Sequence, residues 1–192
     1  MKATIRAFVA IQLPVAVKSA LGSAIAEIGS LRGAHPVKPE GVHLTLKFLG
    51  DVDVKRVGSL CEAIEAVAWS VAPFSLSLGG MGVFSESRSA RVLWVGVTGQ
   101  IELLQELRRD LESTTSAFGF TKDRRGFSPH ITLVRVRPES PSEELNKTIE
   151  ALSRLKFLDG LQIPVSHISL MRSTLRPKGA SYDTLASFRL VG

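Results

Sequence analysis

Cysteine is nearly absent from this 192-residue chain. Cys61 is the only one, which rules out an internal disulfide and any zinc site built on two or four cysteines. Cys61 lies in the apolar run Leu60-Cys61-Glu62-Ala63-Ile64 and reads as a buried helical thiol. No apolar run approaches the roughly 18 residues that span a bilayer. The opening residues Met1 to Arg6 lack the apolar stretch and cleavage site of a signal peptide, so a soluble, cytoplasmic protein without a membrane partner is expected. Low-complexity segments and lysine-rich tails are also missing. Lys plus Arg number 24 against 18 Asp plus Glu, a net charge of +6 spread along the chain. That balance is a mild bias toward anionic partners such as nucleic acid or phosphate esters. Hydrophobic residues make up 44%, enough for a packed core.

Strand and helix patterns interleave. Strands are expected over Thr4–Leu13, Val42–Leu49, Phe74–Leu78, Arg91–Val97, His130–Val136, Gln162–Met171 and Ser181–Leu190, from β-branched content and period-two alternation. Helical spacing of apolar residues predicts helices over Pro14–Leu31, Asp53–Trp69, Ile101–Phe118 and Pro141–Leu155. His35–Gly41 and the glycine- and serine-rich Gly79–Ser89 read as loops, and Gly50-Asp51 as a strand break. This irregular order points to an α+β fold with antiparallel sheets rather than a doubly wound parallel sheet.

The strongest feature is internal. His43-Leu44-Thr45-Leu46 recurs 87 residues later as His130-Ile131-Thr132-Leu133, and each copy opens an expected strand. Side chains at i and i+2 share a strand face, so His and Thr point one way while the apolar pair enters the core. A spacing of about half the chain suggests two related lobes, each contributing one His and one Thr to a shared cleft. Opening a cyclic phosphodiester requires a base for the attacking water and an acid for the departing ribose oxygen, and histidine serves as either near neutral pH. Two histidines facing each other suit in-line displacement, and threonine hydroxyls can bind the non-bridging oxygens. Histidines could alternatively ligate a metal, but no carboxylate accompanies either motif on its strand face, so no metal and no cofactor are expected. A third near-copy, His167-Ile168-Ser169-Leu170, breaks the half-chain period, and His167 is read as a surface or strand-edge residue. His35 is given no role. Parity sets Phe48 with Leu44 and Leu46, favouring core packing over stacking on a nucleobase. Arg88 and Arg91, or Lys122, Arg124 and Arg125, are candidate RNA phosphate contacts set against an ordinary solvated charge run. Gly79-Gly80-x-Gly82 is no phosphate loop, since it lacks the Gly-Lys-Ser/Thr ending.

At these residues the chain resembles the 2H phosphoesterase superfamily. Within it, the chain is similar to the bacterial and archaeal RNA 2',3'-cyclic phosphodiesterases, formerly described as 2'-5' RNA ligases. The resemblance is carried by Arg6-Ala7-Phe8-Val9-Ala10-Ile11, by Val42 to Gly50, by Arg91 to Val97, by Phe127 to Arg135 and by Ser173 to Tyr182. It implies a bilobal, pseudo-twofold α+β domain over residues 1–192, with two antiparallel sheets and flanking helices around a central cleft. It implies metal-free hydrolysis of a terminal RNA 2',3'-cyclic phosphate to a 2'-phosphate, with ligation through a 2'-5' linkage as the reverse reaction. His43 and His130 carry over as catalytic residues, and Thr45, Thr132 and Arg135 as substrate-binding ones. Arg135 has parity opposite to His130, so it must reach the cleft from the strand end or across a bulge. The 3' oxygen leaves, and of the two assignments that the sequence leaves open, His43 as acid and His130 as base is the one adopted. The chain departs from the family pattern at His35-Pro36-Val37-Lys38-Pro39, which leaves substrate recognition at that entrance open. A monomer is expected. The competing readings are an enzyme for a small cyclic nucleotide and a non-catalytic RNA-binding module.

Overall fold

A computed structural model of the chain describes residues 3–28, 34–84, 91–123, 126–136, 143, 147, 150, 158–176 and 179–192. Among the described residues nine strands form one antiparallel sheet: β1 Thr4–Gln12, β2 Ala34–Pro36, β3 His43–Asp53, β4 Phe74–Phe84, β5 Arg91–Gly99, β6 His130–Val136, β7 Gln162–Val165, β8 His167–Arg176 and β9 Gly179–Arg189. Their order is β7-β4-β5-β6-β3-β1-β8-β9, with β2 pairing β6 off the main path. The order divides into two four-stranded halves, so the two expected sheets are joined, and the joint is the single pair Leu44↔Ile131 between β3 and β6. In each half the motif strand begins 39 residues after the strand that becomes its neighbour, Thr4 to His43 and Arg91 to His130. The repeat read from the motifs therefore extends to the strands beside them.

The sheet curls. β7 and β8 are separated in the chain only by Ser166, yet they stand first and seventh in the strand order, so opposite ends of the sheet must approach. The Leu190 N–H donates to the Ser166 carbonyl at 2.9 Å and fastens β9 to that link. The helices α1 Val15–Ile28, α2 Val57–Trp69 and α3 Ile101–Ala117 present apolar stripes to the sheet. The stripes are Val17, Leu21 and Ala24; Leu60, Ile64 and Val67; and Leu104, Leu107 and Leu111. These residues join Val9, Ile11, Leu44, Leu76, Leu93, Ile131 and Leu170 in one continuous core. Each fully buried aliphatic side chain contributes about 1.5–3 kcal/mol, so burial of one face leaves the other face free for function. A small second cluster, Phe8, Ala10 and Met171 with Tyr182 against it, lies on that other face.

Four local expectations are corrected. β3 does not stop at Gly50-Asp51, because Gly50 takes φ +71 within the strand and pairing continues to Asp53. Gly79–Phe84 is strand rather than loop. Glycine there fits packing, since a Cβ on Gly82 would run into the Trp94 ring. The His35 segment is partly a short edge strand, a position that tolerates Pro36. Gln162–Met171 is two strands in different halves, divided at Ser166. Cys61 is half-buried; desolvation, then Glu65 and Glu62, push its thiol pKa up and keep it protonated. The expected Pro141–Leu155 helix falls almost wholly outside the described residues, of which Glu143, Lys147 and Glu150 are helical. No helix among the described residues is long and apolar enough to cross a membrane.

Candidate active site

The two motif strands have the same sequence of environments. From His43 to Leu49 and from His130 to Val136, burial runs half-buried, buried, half-buried, buried, buried, exposed, buried. The doubled buried position marks a bulge in each strand. β1 pairs Ala10 with Thr45 and Val9 with Lys47, skipping Leu46. β5 pairs Trp94 with Thr132 and Leu93 with Val134, skipping Leu133. One extra residue reverses the alternation beyond it. Residues five after each histidine thus return to the cleft face, Phe48 in one half and Arg135 in the other. Arg135 comes to the face of its motif histidine across a bulge, one of the two routes its parity requires. The core-packing expectation for Phe48 is wrong for the same reason: the ring is 66% exposed, with Phe8 at 6.2 Å between centroids.

Each histidine is held alike. His43 Nδ1 donates to the Gly41 carbonyl at 2.7 Å, and His130 Nδ1 donates to the Ser128 carbonyl at 2.7 Å. A carbonyl only accepts, so each Nδ1 carries the hydrogen and each Nε2 keeps a lone pair or a second proton for chemistry. An antiparallel register about Leu44↔Ile131 sets His43 toward Thr132 and Thr45 toward His130. The histidines are then diagonal neighbours across the strand pair.

Aromatic rings fix both imidazoles from the sides. His43 stacks on Phe8 at 4.7 Å and meets the edge of Tyr182 at 5.0 Å. His130 meets Phe84 edge-on at 4.8 Å and lies 6.2 Å from Trp94. Burial lowers the His43 pKa from 6.5, the Gly41 bond opposes this, and the charges of Arg135 and Lys18 lower it further. Arg135 therefore acts across the joint on the histidine of the other motif.

Sequence reasoning named the histidines, threonines and Arg135 but missed the rings of Phe8, Tyr182, Phe84 and Trp94 as partners of the histidines. Phe8, Trp94 and Tyr182 had as their only signal membership in segments that carried the family resemblance, and Phe84 lay in the stretch read as a loop. His35 is the β2 partner of Arg135. His167 is exposed at the start of β8, its Nδ1 2.9 Å from Ser166 Oγ. Lys122 is exposed in a surface hollow of about 370 Å³ that also takes in Arg108, Glu112 and Phe127, on the helix side of the sheet. Arg88, Arg124 and Arg125 lie outside the described residues, and Arg91 opens β5. Among the described residues no three His, Cys, Asp or Glu side chains gather as a metal site.

Known proteins share this arrangement of chain. The family profile described as the 2'-5' RNA ligase superfamily matches residues 18–176. A Geobacillus stearothermophilus protein named RNA 2',3'-cyclic phosphodiesterase is 41% identical over 157 residues; the match covers 81% of this chain and 48% of that relative, about half its length. A Methanothermobacter thermautotrophicus protein of the same name is 34% identical over 154 residues, covering 80% of this chain and 81% of the relative. A solved Thermus thermophilus structure superposes with a TM-score of 0.79 at 31% identity, covering 97% of this chain and 98% of that one.

Proposed function

Since the chain belongs to the 2'-5' RNA ligase superfamily, the 2H phosphoesterases, we propose that it is an RNA 2',3'-cyclic phosphodiesterase working by two-histidine acid–base catalysis without a metal. The observation that carries this reading is the matched pair of histidines, each with Nδ1 tied to the carbonyl two residues earlier. Binding alone has no need of two titratable groups oriented alike. Water attacks phosphorus and gives its proton to His130 Nε2. The P–O3' bond breaks, and O3' takes a proton from His43 Nε2, leaving a 2'-phosphate and a free 3'-hydroxyl. Thr45 and Thr132 donate hydrogen bonds to the non-bridging oxygens, and Arg135 offsets their charge. With a ribose 5'-hydroxyl in place of water, the same geometry joins ends through a 2'-5' linkage. Burial, with the charges of Arg135 and Lys18, lowers the His43 pKa and disfavours its imidazolium, and an anionic substrate docked beside it favours the protonated form that the acid needs.

Phe48, exposed on the cleft face and near Phe8, offers a stacking platform for the terminal base. One core running through both halves supports reading residues 1–192 as one bilobal domain.

The test is turnover of an oligonucleotide ending in a 2',3'-cyclic phosphate, in excess chelator, with His43→Ala and His130→Ala alongside. A 2'-phosphate product and loss of about 10²–10⁴-fold in each variant support the reading. Activity that needs a divalent ion, or survives both substitutions, overturns the metal-free mechanism. Poor turnover of RNA ends beside fast turnover of a small cyclic nucleotide would shift the substrate class.

A further inference from the structure

Lys47 stands two residues after Thr45, and on a regular strand it would share the cleft face. The bulge at Leu46 turns it to the helix side, where it is 3% exposed. A buried ammonium requires compensation, and here it is specific. Lys47 Nζ lies 2.6 Å from Glu112 Oε2 on α3 and donates to the Thr121 carbonyl at 2.6 Å. The same Glu112 oxygen accepts from the Asp123 N–H at 3.3 Å. The other Glu112 oxygen is 3.5 Å from Arg108, whose guanidinium covers the Phe127 ring at 4.6 Å. Phe127 is partly buried against the core and directly precedes Ser128, the residue whose carbonyl holds His130. A cation rooted in the first motif strand thus fastens, from behind the sheet, the segment leading into the second motif.

An apolar pair would fill this space at lower desolvation cost, so stability alone does not call for an ion pair here. Geometry does: Lys47 has donors for both a carboxylate and a backbone carbonyl, and Glu112 accepts from a backbone amide in return. We propose that Lys47, acting with Glu112, is a positioning residue that sets Phe127 and Ser128 and thereby the orientation of His130 relative to His43. This rests on the reading of His130 as a catalytic residue.

The experiment compares the full-length protein with Lys47→Met, Glu112→Leu and the double variant, by melting temperature, by kcat and KM on the cyclic-phosphate oligonucleotide, and by NMR of the histidine Nδ1–H signals. Each single change removes one partner of the buried pair and lowers both Tm and kcat. The double variant regains Tm, but its kcat stays about 10–100-fold low. Its KM stays within about twofold of wild type. The His130 Nδ1–H signal shifts or exchanges faster, while that of His43 is unchanged. A double variant with wild-type kcat, or with both histidine signals moved alike, or with neither moved, overturns the proposal. If the double variant does not regain Tm, the two signals are read on the folded protein at low temperature, with the same decision. Failure of the wild type to turn over the oligonucleotide would count against the catalytic reading, whereas the NMR comparison tests the positioning without it.

Discussion

Arg135 occupies in one half of the sheet the place that Phe48 occupies in the other: five residues after the motif histidine, beyond a bulge, exposed on the cleft face. A duplicated frame thus carries two unlike side chains at equivalent points. One of the two equivalent points is cationic and the other aromatic.

Arg135 lowers the His43 pKa through its charge, so Arg135→Ala should raise that pKa toward 6.5, read by NMR titration of the imidazole. Product affinity should fall by about 10–150-fold, the loss of a charged hydrogen bond. Arg135→Lys should restore the His43 pKa more fully than the affinity, because lysine keeps the charge but not the planar fork. An unchanged His43 titration in Arg135→Ala would remove the link across the joint.

Phe48→Ala should raise KM for a nucleoside 2',3'-cyclic phosphate by the equivalent of about 1–3 kcal/mol of lost stacking. Turnover of an abasic ribose 2',3'-cyclic phosphate should not change. The ring is already exposed, so the melting temperature should move little. Equal losses on both substrates would instead make Phe48 a support for the Phe8–His43 stack.

The motifs and most elements were legible because alternation and helical spacing are local signals. His130–Val136 matches its expected bounds, and the repeat itself announced two halves. The bulges at Leu46 and Leu133 were not legible, since a leucine at a bulge and a leucine in a regular strand look alike in sequence. That one hidden residue misplaced Phe48 and concealed the burial of Lys47. Gly79–Phe84 read as loop because glycine weakens a strand, and only the distant Trp94 explains the residue at Gly82. The rings around the histidines come from β1, β4, β5 and β9, contacts that no local pattern encodes.

Gly82 gives a direct test of that packing. Its substitution by alanine drives a methyl group into the Trp94 ring, which lies against Phe84 at 4.9 Å, and Phe84 meets His130. Gly82→Ala should cost about 1–3 kcal/mol of stability from overpacking. It should also lower kcat more than it raises KM. A variant with wild-type stability and kcat would show that Trp94 yields freely and does not hold His130.

His43 also predicts how stability depends on pH. Burial, with Arg135 and Lys18, holds its folded pKa below 6.5, while in the unfolded chain it titrates near that ordinary value. Between the two values the unfolded chain binds more protons, so unfolding free energy rises with pH. The contribution is complete above the unfolded pKa and drains away as pH falls through 6.5 toward the folded pKa. His43→Gln removes this titration. Its melting temperature relative to wild type should therefore climb as pH is lowered from about 7.5 to about 5. Inorganic phosphate bound between the histidines favours the imidazolium, so the wild-type penalty at low pH should shrink when phosphate is added. A gap between the two proteins that does not vary with pH would mean that His43 titrates as it does in the unfolded chain, and that its burial leaves its protonation unaffected.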